Sequence, residues 1–299
     1  MMKSVFKKFT FLAIVMFVFS MILTGCGSTD QPAKATTETA KKDPNASAKL
    51  NALREKGVLV VGSSNDAPFA YMDAASNKFS GVDAAIIGEV CKRLGINKVE
   101  MKQIPFENLL IELNKNSIDM VTDAMYIKQE RLDKALFTDV WYKEGEAVVV
   151  KKDSTIQTKE DLKDKVLGGQ KGTAFLEVAQ KWLNEGKAKD LKIFNSQSEL
   201  MMAVNTGKID ACVTDGIVAS YTLKQDSSLS LRVLTPYEAE AAGKIGAGLR
   251  FEDKEFLGEV NKTLNEMKAD GTLLKILKDF GLNEDYFVSA DDGKTKNTK

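Results

Sequence analysis

Asn114-Lys-Asn-Ser-Ile-Asp-Met-Val-Thr-Asp123 comes back further along the chain as Asn205-Thr-Gly-Lys-Ile-Asp-Ala-Cys-Val-Thr-Asp215, with one residue added. Each copy reads as a helix end, a tight turn, a short apolar run and an Asp where the run stops. A short apolar run bounded by turn residues suits a buried strand. Asp119 and Asp210 are ordinary turn residues, and common turn chemistry can produce such a match by itself. Taken as a repeat, the two copies describe two α/β units, each with an acid at the carboxyl end of a strand. Ligands of open α/β sheets bind in the crevice beyond those ends. Two such units suggest two lobes facing one cleft.

The rest of the chain alternates in the same way. Val58-Leu59-Val60-Val61 reads as a strand stopped by Gly62. Ile86, Ile87, Val90, Cys91 and Leu94 follow at helical spacing and end at Gly95. Val99 to Ile104 is strand-like, Phe106, Leu109, Leu110 and Leu113 form a helix face, and Ile118 to Thr122 is a strand again. From Val166 the pattern restarts, with strands at Val166-Leu167, Leu191 to Phe194 and Ile209 to Val213. Helices run between them from Ala174 to Leu183 and through Leu200, Met201 and Val204. Such alternation argues for parallel sheets covered by helices, an α/β fold.

Composition removes several chemistries. The chain has no His, which excludes Ser-His-Asp, Cys-His and His-zinc sites. Beyond Cys26 there are only Cys91 and Cys212, too few for a disulfide framework. Both sit in apolar stretches, as small buried hydrophobes do, and a bridge is the alternative. Basic and acidic residues number 42 each, without a basic run, so no footprint for nucleic acid is present. No cofactor and no metal site are expected.

The N-terminus says where the chain works. Lys3, Lys7 and Lys8 precede an apolar run of 15 residues, Phe9 to Leu23. A spanning helix needs roughly 20, so the segment reads as a secretory signal. It ends in Leu23-Thr24-Gly25-Cys26, which resembles the bacterial lipobox, in which the cysteine is acylated and becomes the new N-terminus. Residues 1–25 are then a lipoprotein signal peptide. The expected location is the outer face of a cell membrane, held through lipid on Cys26. Gly27 to Ala48 contains no large apolar residue and cannot offset its own ordering entropy. As a flexible coil it reaches roughly 25 Å.

Further motifs carry a resemblance to a family. They are Val60-Val61-Gly62 with Ala67-Pro68-Phe69, Phe79-Ser-Gly-Val-Asp83, Met125-Tyr-Ile-Lys-Gln-Glu-Arg131 with Phe137-Thr138-Asp139, Gly169-Gln-Lys-Gly172-Thr173, the strand ending at Asp215, and Met267-Lys-Ala-Asp-Gly-Thr272. From Val58 to about Phe287 the chain resembles the family 3 extracellular solute-binding proteins, the polar amino-acid receptors of ABC transporters. The resemblance implies a two-lobed, type II periplasmic-binding-protein-like fold with two hinge-crossing strands. It closes on ligand, as hinge proteins of this kind do. Implied boundaries are a tether at 26–49, lobe 1 at 50–145 and 244–288, lobe 2 at 146–243, and a polar tail at 289–299. The implied function is capture of a polar amino acid or small zwitterion, by a monomer, for delivery to permease subunits.

A free amino acid offers a carboxylate and an ammonium, and burying either unpartnered costs several kcal/mol. The resemblance gives Arg131 the carboxylate, in a bidentate fork; the plain alternative is a surface Arg beside Glu130. Gly172 and Thr173 are expected to open a helix whose free N–H groups help bind the same carboxylate. Asp215 matches the acid that pairs with the α-ammonium, or else caps the following helix. Phe69, Phe106 and Tyr126 align with positions that stack on the ligand, and Asp66, Ala124 and Gln170 complete the implied site. Tyr126 departs from the family, where Ser or Thr is more usual. Together with Asn65 to Phe69 it resembles the ectoine-binding subset, in which aromatics and an acid hold a cationic ring. Asp215 argues against that subset. A dehydratase on the same scaffold, with Asp66 or Asp123 as its acid, and a sensor module are the remaining readings.

Overall fold

The computed structural model describes residues 43–235 and 237–298. The expected signal peptide, Cys26 and the tether up to residue 42 lie outside the described residues. α1 (Ala48–Lys56) leads into β1 (Val58–Ser63), then into a hairpin of β2 (Tyr71–Asp73) and β3 (Lys78–Ser80). α2 (Val82–Leu94), β4 (Lys98–Gln103), α3 (Leu109–Asn114) and β5 (Met120–Val121) complete the first run. After α4 (Gln129–Leu132) come β6 (Leu136–Phe137), β7 (Tyr142–Glu144) and β8 (Glu146–Lys151). The second run is β9 (Val166–Gln170), α5 (Ala174–Asn184), β10 (Asp190–Phe194), α6 (Gln197–Asn205), β11 (Ala211–Asp215) and α7 (Gly216–Gln225). β12 (Leu231–Val233), β13 (Gly243–Ile245), β14 (Gly248–Leu249), α8 (Lys254–Ala269) and α9 (Thr272–Asp279) follow, with a last 3-10 turn at Glu284–Tyr286.

Two five-stranded sheets result, ordered β4-β1-β5-β14-β6 and β10-β9-β11-β8-β12. Within each, the three strands joined by helices are parallel. β14 and β8 run antiparallel to their neighbours, so the sheets are mixed and not parallel throughout as expected. The reason is connectivity. β8 enters its sheet directly from β7 and β14 directly from β13, with no crossover helix to turn them. β7 and β13 pair as an antiparallel ribbon at the passages between the sheets.

The repeat is reproduced in detail at its turns. The Asp119 N–H donates to the Val60 carbonyl at 2.7 Å, and its carboxylate accepts the Val60 N–H at 3.1 Å. Asp210 holds Val166 the same way, at 2.9 and 2.8 Å. Each aspartate thus clips the neighbouring parallel strand in register. β1 does not stop at Gly62. A Cβ there would stand 2.5 Å from Ile118 Cδ1 and 3.2 Å from Leu109 Cδ2, so this glycine serves close packing inside a strand. Cys91 and Cys212 are free and buried, and burial pushes both thiols up to about 12.

Gly81 shapes the site from a distance. With φ at 116°, it lets the start of α2 press on the loop before it, and a Cβ would lie 2.2 Å from the Phe69 carbonyl oxygen. Val82 and Asp83 donate their free helix-start N–H groups to the carbonyls of Pro68 and Phe69, both at 2.9 Å. Gly81→Ala should therefore lower stability by roughly 2 kcal/mol or more, through strain and a backbone clash. Chemical denaturation checks this, and a loss below about 0.5 kcal/mol would contradict it.

The tail has no core but is not loose. Gly293 accepts from Val140 N–H at 2.8 Å, and Thr295 Oγ1 donates to Thr138 O at 2.7 Å. The Asn297 side chain accepts from Phe137 N–H and donates to Phe137 O, at 2.7 and 2.9 Å. It covers the outer edge of β6, where an open strand edge would invite pairing.

Candidate functional site

The carboxyl ends of the parallel strands meet around one cavity. From the first sheet come Asp66 after β1, Phe106 after β4, and Asp123, Ala124 and Tyr126 after β5, with Phe69 and Arg131 beside them. From the second come Gln170 at the end of β9, Thr173, Ala174 and Phe175 after it, Gln197 after β10, and Thr214, Asp215 and Val218 at β11 and beyond. The walls touch. Lys171 pairs with Glu107 at 3.0 Å, Lys128 with Glu177, and the Tyr71 and Tyr221 hydroxyls meet at 3.3 Å.

Arg131 is the cation of the site. It is 7% exposed and lies over the Phe106 ring, 5.4 Å from its centroid. Its Nη1 donates to Tyr126 O at 2.8 Å, and its Nη2 crosses the cleft to Gly172 O at 3.0 Å. Two carbonyls use part of a five-donor fork. Among the described residues it forms no ion pair. Burial, first, holds its pKa below the usual value.

Acids outnumber it. Asp215 caps α7, its Oδ1 accepting from Ile217 and Val218 N–H, both at 2.8 Å. The capping reading of Asp215 is thus realised, and the residue also lines the cavity and faces Glu144. Asp66 and Asp123 share the Ser64 hydroxyl between them, and Asp123 also accepts the Ser64 N–H at 2.8 Å. Burial raises both carboxyls; Asp215 further raises Asp66, and Asp66 further raises Asp123. Asp83 stands behind them, accepting from Ala124 N–H at 2.8 Å and from Tyr142 O–H at 2.7 Å. It fixes Ala124, whose φ is 46°. Burial raises Asp83 from 3.8 to about 6.

These raised acids set the pH response. A carboxyl with a native pKa above its unfolded value binds its proton more tightly when folded. Its stability contribution is complete at low pH and is lost as pH rises through the interval, here about 4 to 6. The ligand-free protein should therefore be more stable at pH 5 than at pH 7.5. Asp83 alone contributes roughly 1 kcal/mol of that difference, since pH 5 already lies inside the interval, and Asp83→Asn should shrink it. Urea titrations at the two pH values measure the effect; greater stability at pH 7.5 would contradict it.

The aromatics serve cavity and core together. Phe69 stacks on Tyr142 at 6.0 Å, and Tyr126 packs edge-on against Phe175 at 5.3 Å. The Tyr126 ring fills the space beside Gly243, where a Cβ would come within 2.1 Å of it. Thr173 Oγ1 accepts the Leu176 N–H at 3.2 Å, capping α5, and donates to Gln170 O at 2.8 Å.

The structure brings Asp66, Phe69, Phe106, Ala124, Tyr126, Arg131, Gln170, Thr173 and Asp215 to one cavity. Gly172 does not line it. Its carbonyl takes Arg131, and the Thr173 N–H is occupied by Gln170 O at 3.3 Å, so this turn acts on the arginine and offers few free N–H groups. Phe175, Gln197 and Thr214 were not among the expected site residues, and Asp123 was expected only as the acid of the dehydratase reading. Asp123 had a signal, its place at the end of the first repeat. Gln197 had none, because Ser196 and Glu199 mark a helix start but not which side chain of it faces a cavity.

Residues 59–283 match the family model of bacterial extracellular solute-binding proteins, family 3. The chain belongs to that family. It is 29% identical over 268 residues to the arginine-binding extracellular protein ArtP of Bacillus subtilis, spanning 89% of this chain and 95% of that one. To the L-cystine-binding protein TcyA of the same organism it is 30% identical over 270 residues, spanning 89% and 95%. Among solved structures, an ancestral arginine-binding protein bound to arginine superposes with a TM-score of 0.68 at 32% identity, covering 75% of this chain and 98% of that one. The two mixed sheets of this family member share the fold of those amino-acid-binding structures. No helix among the described residues is long and apolar enough to cross a membrane.

Proposed function

We propose that this solute-binding protein captures an L-α-amino acid with a basic side chain and delivers it to the permease of an ABC importer. The observation that carries the reading is a pair of opposite charges, Arg131 and Asp215, buried on opposite walls of one cavity without ion-pair partners among the described residues. Ion pairing with a ligand carboxylate and α-ammonium answers both. That leaves Asp66 and Asp123, two buried carboxyls bridged by the Ser64 hydroxyl, as the place for a second positive charge. Relatives named for arginine binding support the choice of a basic side chain. No catalytic step is assigned to these acids, and the chain is read as a carrier.

The aromatic lining favours one second reading, a compact cationic ring of the ectoine type held by Phe69, Phe106 and Tyr126 with Asp66. In either case residues 50–145 with 244–288, and 146–243, act as lobes that close over the ligand, the ribbon of β7 and β13 being the hinge. The body is held at the outer membrane face by lipid on Cys26 and a tether, and works as a monomer. A thermal-shift panel of amino acids, betaines and ectoines tests the ligand class. At a hundredfold excess over Kd a ligand stabilises by about 2.7 kcal/mol. Small-angle scattering tests closure, and tight binding with an unchanged radius of gyration would contradict it.

A further inference from the structure

Both carboxylate oxygens of Glu144 are buried without a hydrogen-bond donor among the described residues, and the residue is only 4% exposed. It ends β7, at the passage between the sheets. Its carboxyl faces that of Asp215 within reach of a hydrogen bond. Two ionised carboxylates offer only acceptors, so such a contact requires a proton on one of them. Among the described residues, the groups acting on Glu144 supply no cation instead. The titratable groups facing it are Asp215 of β11, Asp83 of α2, Tyr142 on its own strand, Tyr126 after β5 and Tyr286 of the last 3-10 turn; Glu146 follows two residues on. All are acids or phenols. Burial, then the charge of Asp215, pushes Glu144 well above the usual carboxylate range.

We propose that Glu144 and Asp215 share one proton in the ligand-free protein, and that an ammonium binding at Asp215 expels it. The inference rests on the amino-acid reading, which puts a positive charge there. The step balances: one O–H bond breaks, the pair goes from one negative charge to two, the ligand brings one positive charge, and the proton passes to the buffer. Glu144 is a positioning residue, acting on the ligand through Asp215. Because binding and proton release are linked, affinity rises with pH, by up to about tenfold per unit. Capture would weaken in acid surroundings and recover as they become neutral.

Titration calorimetry of L-arginine into the protein, in buffers of different ionisation heat between pH 6 and 8, counts the protons released. Wild type should release about one more proton than Glu144→Gln, which keeps the shape of the side chain but has no proton to give up. Equal release from the two proteins would overturn the inference. A ligand-free readout stands beside it. Between pH 5 and 9 wild type should lose more folding stability than Glu144→Gln, and parallel curves would also overturn it. Should the curves diverge while no L-amino acid binds, the functional reading falls and expulsion by ammonium falls with it.

Discussion

Arg131→Ala should remove measurable ligand binding while leaving the ligand-free protein folded. The guanidinium is buried against Phe106 and held by two carbonyls, one on each wall. Removing one member of a buried charge pair costs about 2–5 kcal/mol, or 30- to several-thousand-fold in affinity. Folding should suffer much less. In the ligand-free protein Arg131 has no ion-pair partner among the described residues, so alanine also relieves the desolvation of a buried charge. Calorimetry on the variant gives the affinity and denaturation gives the stability. Wild-type affinity would remove Arg131 from the carboxylate role. A loss of fold would show instead that the Tyr126 and Gly172 carbonyls depend on it.

Asp215→Asn should cost about 3–5 kcal/mol of binding if the ligand carries an α-ammonium there, since that charge is left buried and unpaired. Asparagine is the right replacement because it keeps the side-chain oxygen that caps α7 for Ile217 and Val218. Alanine would lose the cap as well, roughly 1 kcal/mol of stability that says nothing about the ligand. Tyr126→Ala is the matched control. A delocalised ring cation would lose about 2 kcal/mol per desolvated aromatic contact and little at Asp215. A large loss at Asp215 with a small one at Tyr126 supports the amino acid; the reverse order supports the ectoine-type solute.

Much of the fold was legible because its signals are local. The repeat gave two units with acids at strand ends, and Asp119 and Asp210 clip β1 and β9 alike. The motif after β5 led to Arg131, and the Gly172-Thr173 turn to the start of α5. What the sequence hid depends on partners far away in the chain. The passage at residues 145 and 146 was expected from the family resemblance, but nothing in the sequence marks Glu144 and Glu146 as buried, which both are. Glu146 accepts from Tyr237 O–H and from the N–H groups of Glu240 and Ala241, tying the outgoing passage to the returning one. The antiparallel placing of β8 and β14 likewise follows from where the chain returns. Gly62 looked like a stop because a glycine that admits a neighbour and one that ends a strand are identical in sequence. Phe175 and Gln197 reach the cavity from the starts of α5 and α6, and Gln197 is held there by the Thr214 hydroxyl at 2.7 Å.

The central claim is that one ligand is held at both ends, its carboxylate by Arg131 and its α-ammonium by Asp215. Calorimetry with three molecules tests it most directly: L-arginine, its decarboxylated amine agmatine, and its deaminated acid. L-arginine should bind, and each truncated analogue should bind at least about 30-fold more weakly, the lower bound for one lost buried charge pair. Agmatine or the deaminated acid binding as tightly as L-arginine would contradict the claim at the end that analogue lacks.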